Sequence, residues 1–380
     1  MRYQLCLSAL ALGVIFSVTS CSAQKNANSA QAKTYGKVVE IAKLSEARAT
    51  HSATLLPNGK VLIAGGMERN GVFFDDADIF DPETNSFVPA RGKMNSTRAG
   101  HSASILSDGR VLITGGWTNR DKPEMSAEIY DPQTETFKSI GNMNFRRSGH
   151  SATLLDNGKV LIAGGSDGDN FLSEAEVFDP KTNSFILIGK MQSARGAHAT
   201  VKLANGTILL TGGALQRDQI LSSAEIFDPN TSKFSSLKNS MTAVRYKHDA
   251  VLLADGRVLI FGGSDKRDWQ GQYKSAEIFD PKTGEFTVCG EMNYARFKID
   301  GTAVLLKDGK VFIGGGGEGG EVFDPQTNTF TKTEGNFGAP FHYASVTLLK
   351  DGRALVVGGY GNGTRAAGSV STNQAWIFKL

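Results

Sequence analysis

The chain has 380 residues, with 41 Lys and Arg against 38 Asp and Glu and a formal net charge of +3. That balance leaves no basic footprint for nucleic acid, and the sequence contains no run of five like charges. Only three cysteines occur, Cys6, Cys21 and Cys289. Removal of a leader holding the first would leave too few thiols for a disulfide framework.

The first residues read as such a leader. Arg2 gives a short positive region, Leu5 to Phe16 is an apolar stretch, and small residues follow. Val18-Thr19-Ser20-Cys21 resembles a bacterial lipobox. The resemblance implies a signal peptide over residues 1–20, lipid attachment at Cys21 and a membrane-anchored envelope protein. Ser22 after the cysteine resembles the outer-membrane sorting pattern. Residues 21–36 are small and polar and are expected to form a flexible tether.

From residue 37 onward the chain repeats. Val38 to Ile41 reads as a lone strand. Seven times thereafter an Asn-Gly or Asp-Gly pair separates two short apolar runs, the second ending in Gly-Gly. The doublets begin at Gly65, Gly115, Gly164, Gly212, Gly262, Gly315 and Gly358, so the spacing is 43 to 53 residues. A period of that size with strand-like contents marks a repeat architecture. In the second repeat, His101 to Leu106 is predicted as a strand, Asp108-Gly109 as a type I′ turn and Arg110 to Thr114 as the returning strand. Ala127 to Tyr130 gives a third strand, stopped by Asp131-Pro132, and Thr136 to Ile140 a fourth. Four antiparallel strands per unit describe a propeller blade. The chain ends in a third strand, Gln374 to Lys379, so the lone N-terminal strand is expected to complete the last blade and close the ring.

The repeat resembles the Kelch family. The resemblance rests on Arg-x-x-His, the apolar strand before Gly-Gly and six copies of Asp-Pro-x-Thr-x-x-Phe, from Asp81–Phe87 to Asp324–Phe330. It spans about residues 37–380 and implies an all-β, seven-bladed, monomeric propeller.

Whatever recurs in every blade is expected to be scaffold. His51, His101, His150, His198 and His248 share one register, one per blade, and blade spacing sets them too far apart for a zinc site with ligands about 2 Å from the ion. A repeated structural hydrogen bond is the plainer role. Arginine and acid recur together as Arg98/Glu128, Arg147/Glu176, Arg195/Glu225 and Arg245/Glu277, and also as Arg48/Asp78 and Arg296/Glu321. Blade seven has Phe341 and Gln374 instead, losing both at once. Joint loss predicts buried bidentate pairs.

Function is expected where the repeat breaks. The segments between Gly-Gly and the repeated acid (or Gln374) hold 11, 11, 10, 11, 13, 4 and 14 residues. Blade six is cut short between two long neighbours, which predicts a notch on the face of the long loops. Around it lie Trp269, Tyr273, Lys298, Asp300, His342, Tyr343, Tyr360 and Arg365, with Trp117 elsewhere on that face. Aromatic rings among polar groups suit a sugar or a protein partner. The leading expectation is a non-catalytic binding or scaffold module for a glycan, peptidoglycan or an envelope protein, with no cofactor and no metal. The alternative is a carbohydrate-active enzyme, either a sugar mutarotase or isomerase using His342 and Arg365, or a copper oxidase. The Kelch resemblance implies for the copper enzymes two tyrosines, two histidines and a cysteine–tyrosine crosslink, and Cys289 falls on an outer strand.

Overall fold

The structure is a computed structural model, and it describes residues 34–68, 71–118, 122–362 and 369–380. Cys21, the leader and Arg365 lie outside the described residues. Among the described residues no helix is long and apolar enough to cross a membrane.

Seven four-stranded antiparallel sheets are arranged as blades. Blade two is representative, with strands Ser102–Ile105, Val111–Thr114, Ser126–Asp131 and Thr136–Asn142. In blade seven, Lys37–Glu40 supplies the outermost strand, pairing antiparallel with Ala375–Lys379 from Lys37↔Lys379 to Glu40↔Trp376. First strands of neighbouring blades touch all round the axis, including those of blades one and seven.

Burial follows the order of strands. Each second strand, such as Val111–Thr114 or Val258–Phe261, is buried along its whole length, which explains its unbroken apolar sequence. Fourth strands alternate towards solvent. The apolar side chains gather in seven clusters, one between each pair of adjacent blades. One joins Leu62 and Ile79 to Val111, Ile113 and Tyr130, and another joins Phe312 and Val322 to Val356, Trp376 and Phe378. Each fully buried large side chain contributes about 1.5–3 kcal/mol.

The first turn differs from the type I′ expectation. Only the glycine takes positive φ, +88° at Gly59 and +87° at Gly109, and the preceding Asn or Asp does not. Gly59 N–H donates to Leu56 O at 2.9 Å and Lys60 N–H to the Asn58 side chain at 3.1 Å. The Asn or Asp is there to accept a local N–H, so a type I turn closed by a glycine bulge forms instead.

Candidate functional site

The buried arginines organise the loop face from below. Nη2 lies 2.9 Å from the acid in Arg98–Glu128, 3.0 Å in Arg147–Glu176, 2.8 Å in Arg195–Glu225, 3.0 Å in Arg245–Glu277 and 2.9 Å in Arg296–Glu321. All these arginines are fully buried. The pairs are not two parallel bonds. In blade two, Nε and Nη2 converge on Oε1 while Oε2 accepts the N–H and side-chain amide of Asn95. The second oxygen is thereby committed to holding the loop between blades. In blades one to six Nη1 donates to the carbonyl of the first glycine of the doublet, for example Gly115 at 2.8 Å. In blade one Arg48 prefers Asp76, at 2.9 Å, over Asp78, at 3.6 Å. Aspartate in the repeat register is one methylene too short to reach. Blade seven replaces the pair with Phe341 packed on Trp376 at 5.3 Å.

Two residues beyond each arginine, or beyond Phe341 in blade seven, the chain borders the axis. Thr50, Gly100, Gly149, Ala197, Lys247, Lys298 and Tyr343 all have φ between +51° and +62°. Each donates its N–H to the carbonyl of the equivalent residue in the preceding blade. The distances run 2.9 Å from Gly100 to Thr50, 3.1 Å from Gly149 to Gly100, 3.0 Å from Ala197 to Gly149 and 2.9 Å from Lys247 to Ala197. They continue at 3.0 Å from Lys298 to Lys247, 2.7 Å from Tyr343 to Lys298 and 3.3 Å from Thr50 to Tyr343. Seven amides thus close a circle round the axis.

The side chains on that circle are lopsided. The dipeptides following the arginine or its equivalent are Ala49-Thr50, Ala99-Gly100, Ser148-Gly149 and Gly196-Ala197 in blades one to four. In blades five to seven they are Tyr246-Lys247, Phe297-Lys298 and His342-Tyr343. Small residues leave one half of the mouth open, and large ones fill the other. The sequence reading missed this contrast, although it stands in the repeat at a fixed offset from the arginine.

The filled half is an aromatic cage around a lysine. Lys298 is buried, with Nζ 4.2 Å from the Trp269 ring centre, 5.1 Å from Phe297, 5.3 Å from Tyr360 and 5.6 Å from Tyr343. It donates to the Tyr360 hydroxyl at 2.6 Å, and among the described residues no carboxylate lies within 4 Å of it. Burial, with the neighbouring Lys247 charge, pushes its ammonium down to about 8. Lys247 instead pairs with Asp268 at 3.3 Å, and Tyr246 donates to the same carboxylate at 2.6 Å. Trp269 stands on a single 3-10 turn, Asp268–Gln270, and meets His342 edge-on at 4.6 Å. It therefore reaches from blade five to blade seven above the shortened loop of blade six. The space expected as an empty notch is occupied by this ring and by Tyr294, which packs against Gly317 and Gly319.

The open half leads into an axial cavity of about 730 Å³. Met67, Phe73, Trp117 and Tyr343 line it at the loop face, and the first strands line it below. Four histidines, His51, His101, His150 and His198, stand in its wall. Nε2 of His101 meets Ser52 Oγ at 2.9 Å, that of His198 meets Ser151 at 3.1 Å and that of His51 meets Ser345 at 2.9 Å, each across a blade boundary. Burial pushes these three down to about 3, so they stay neutral. Blade six has Ile299 in the histidine register, and blade five has Asp249 where the partner serine would stand. Asp249 accepts the Thr302 N–H at 2.8 Å instead. That bond anchors a turn in which Asp300 and Gly301, blade six's extra length, protrude into the cavity. Asp300 lines the cavity as an exposed residue, and desolvation by the surrounding wall pushes its carboxyl up to about 6. Burial and the Asp300 charge push Asp249 up to about 7.

Of the residues singled out from sequence, Trp269, Lys298, His342, Tyr343 and Tyr360 form one cluster. Asp300, Tyr343 and Trp117 line the cavity. His342 is buried beneath Trp269, with Nδ1 2.8 Å from the Phe297 carbonyl, and burial pushes it down to about 4. Tyr273 stands apart, its ring 5.1 Å from the Arg245 guanidinium. Phe74, Phe145 and Tyr294 cover Arg48, Arg147 and Arg296 in the same way.

Comparison with known proteins agrees with this architecture. The profile of the KLHDC2/KLHL20/DRC7 Kelch-repeats domain matches residues 26–188, and that of the Kelch motif matches residues 250–293. A ring of four-stranded blades with buried Arg–Glu pairs defines a β-propeller of the Kelch kind. The chain belongs to the Kelch-repeat propeller family. No curated protein sequence matches it significantly. Among solved structures it is similar to a fungal alcohol oxidase of the AA5 family, in complex with copper, at 18% identity and a TM-score of 0.70. The match covers 92% of this chain and 76% of that one. At that identity the likeness speaks for the fold alone. The residues present here do not fit a copper centre with a crosslinked cysteine. Cys289 lies on the outer strand Glu285–Cys289, packed towards Leu253 and Phe261, with its thiol pushed up to about 11 by burial. Among the described residues no three His, Cys, Asp or Glu side chains are grouped to hold a metal ion.

Proposed function

We propose that this protein is a ligand-binding propeller that takes the end of a glycan into its axial cavity from the loop face. The observation that carries the reading is the cavity itself, about 730 Å³ and open between small residues of blades one to four. That volume is in the range of small-molecule sites, about 300–1,000 Å³. Phe73, Trp117 and Tyr343 offer ring faces for a pyranose, and Asp300 and the serine-rich wall offer polar groups below. The lipobox-like Val18-Thr19-Ser20-Cys21 supports a form tethered to an envelope membrane, displaying the loop face to saccharides or envelope proteins nearby.

The test is a glycan and peptidoglycan-fragment array probed with the purified full chain. Binding that Trp117→Ala abolishes, with the thermal transition unchanged, supports the cavity as the site. Binding that persists at full strength in that variant places the site elsewhere, and a blank array overturns the saccharide reading.

A further inference from the structure

The ionisable groups lining the cavity are few. Four are histidines, which burial keeps neutral. Lys247 is committed to Asp268, at 3.3 Å, and Tyr343 is a phenol that burial holds neutral. Asp300 remains, and among the described residues no cation lies within 4 Å of it and no donor hydrogen-bonds it. Its position is not an accident of a loose loop. Thr302 N–H is held by Asp249 at 2.8 Å, Thr302 N–H and hydroxyl both donate to Ile299 O, and Gly301 O accepts the Val346 N–H at 2.9 Å. The turn is thus pinned on both sides, to blade five and to blade seven, with the carboxyl left towards the cavity. The carboxylate is open to the cavity and has no cation of its own, so a cationic ligand makes a charge-assisted hydrogen bond there that a neutral hydroxyl cannot match.

We propose that the axial cavity selects an amino sugar bearing a free amine, with its ammonium on Asp300 and its ring against the aromatic mouth. This rests on the reading of the cavity as a saccharide site and adds the charge of the ligand. The Asp300 oxygens accept from the ammonium. The neutral hydroxyl and histidine wall accommodates the remaining hydroxyls without a second charge.

The experiment is calorimetric titration of the full chain at neutral pH with glucosamine, glucose and N-acetylglucosamine, repeated on Asp300→Asn. The substitution keeps the shape of a side chain that makes no hydrogen bond within the protein, so folding is expected to survive; circular dichroism checks this. Glucosamine is expected to bind about tenfold or more tighter than the other two, and the preference should vanish in the variant. Equal affinities for all three, or a preference that survives Asp300→Asn, overturn the amine assignment and leave the saccharide site standing. Failure of all three to bind overturns the assignment together with the reading it rests on.

Discussion

Trp269 of blade five meets His342 of blade seven edge-on at 4.6 Å, passing over blade six, whose own loop is four residues long. The shortened loop is therefore what lets the two neighbours touch. The contact roofs Lys298 and keeps water from its ammonium. Removing the roof in Trp269→Ala is expected to raise the Lys298 pKa from about 8 towards the ordinary lysine value of about 10.4. Titration of the isotopically dimethylated lysine by NMR reads this directly. A value that stays low would assign the shift to repulsion by Lys247 rather than to burial.

The Arg–Glu pairs give a second prediction. Arg147→Ala leaves Glu176 buried and without its cation, which should destabilise the protein by about 3–5 kcal/mol. Replacing both partners, with Arg147→Met and Glu176→Leu, should be much less harmful. Blade seven is the natural precedent, since Phe341 fills the arginine position against Trp376. Denaturant unfolding of the single and double variants tests this, and equal losses in the two would refute it.

Most of the fold was legible because it is written seven times. Gly-Gly, Asp-Pro-x-Thr-x-x-Phe and the paired Arg and Glu each announce a blade, and local turn chemistry does the rest. The finer turn type was not, because Asn-Gly and Asp-Gly suit either a type I′ turn or a type I turn with a glycine bulge. The candidate site was legible in part. Loop lengths drew attention to the face on which Trp269, Lys298, His342, Tyr343 and Tyr360 come together. Length alone could not tell that Trp269 bridges the gap, since a side chain's reach across a neighbouring blade depends on the ring's curvature. The cavity was missed because it is formed by what blades one to four lack at the axis, and small residues draw less notice than aromatic ones.

The neutral histidines set the acid behaviour. His51, His101 and His198 are pushed from 6.5 down to about 3, and His150 and His248 are also held well down by burial. As pH falls below 6.5 the unfolded chain takes up protons that the native ring refuses, so stability present above pH 6.5 is lost progressively towards pH 3. Asp249 and Asp300 act oppositely. Their raised values of about 7 and about 6 let the native state take protons before the unfolded state does, which adds stability on acidification down to about pH 4. Six histidines, with His342 at about 4 among them, outweigh two carboxyls. The melting temperature should fall between pH 6.5 and 4, and a rise over that window in a pH series of melts would show the carboxyls dominating.

The amide circle round the axis makes the last prediction. It requires a left-handed conformation at all seven positions, and only Gly100 and Gly149 adopt it without cost from a Cβ atom. At Gly149 an added Cβ would meet nothing closer than Ala197 N at 3.8 Å, so Gly149→Ala introduces backbone strain without a clash. A left-handed non-glycine residue costs about 1–2 kcal/mol, of which the reduced freedom of the unfolded chain returns about 0.5–1 kcal/mol. Gly149→Ala should therefore destabilise by about 1 kcal/mol, and Ala197→Gly, with φ at +51°, should stabilise by a similar amount. Urea unfolding of the two variants checks the pair. Opposite signs support a circle under local strain, held by its inter-blade hydrogen bonds. If both variants were destabilised, the Ala197 methyl would be contributing packing that outweighs its strain.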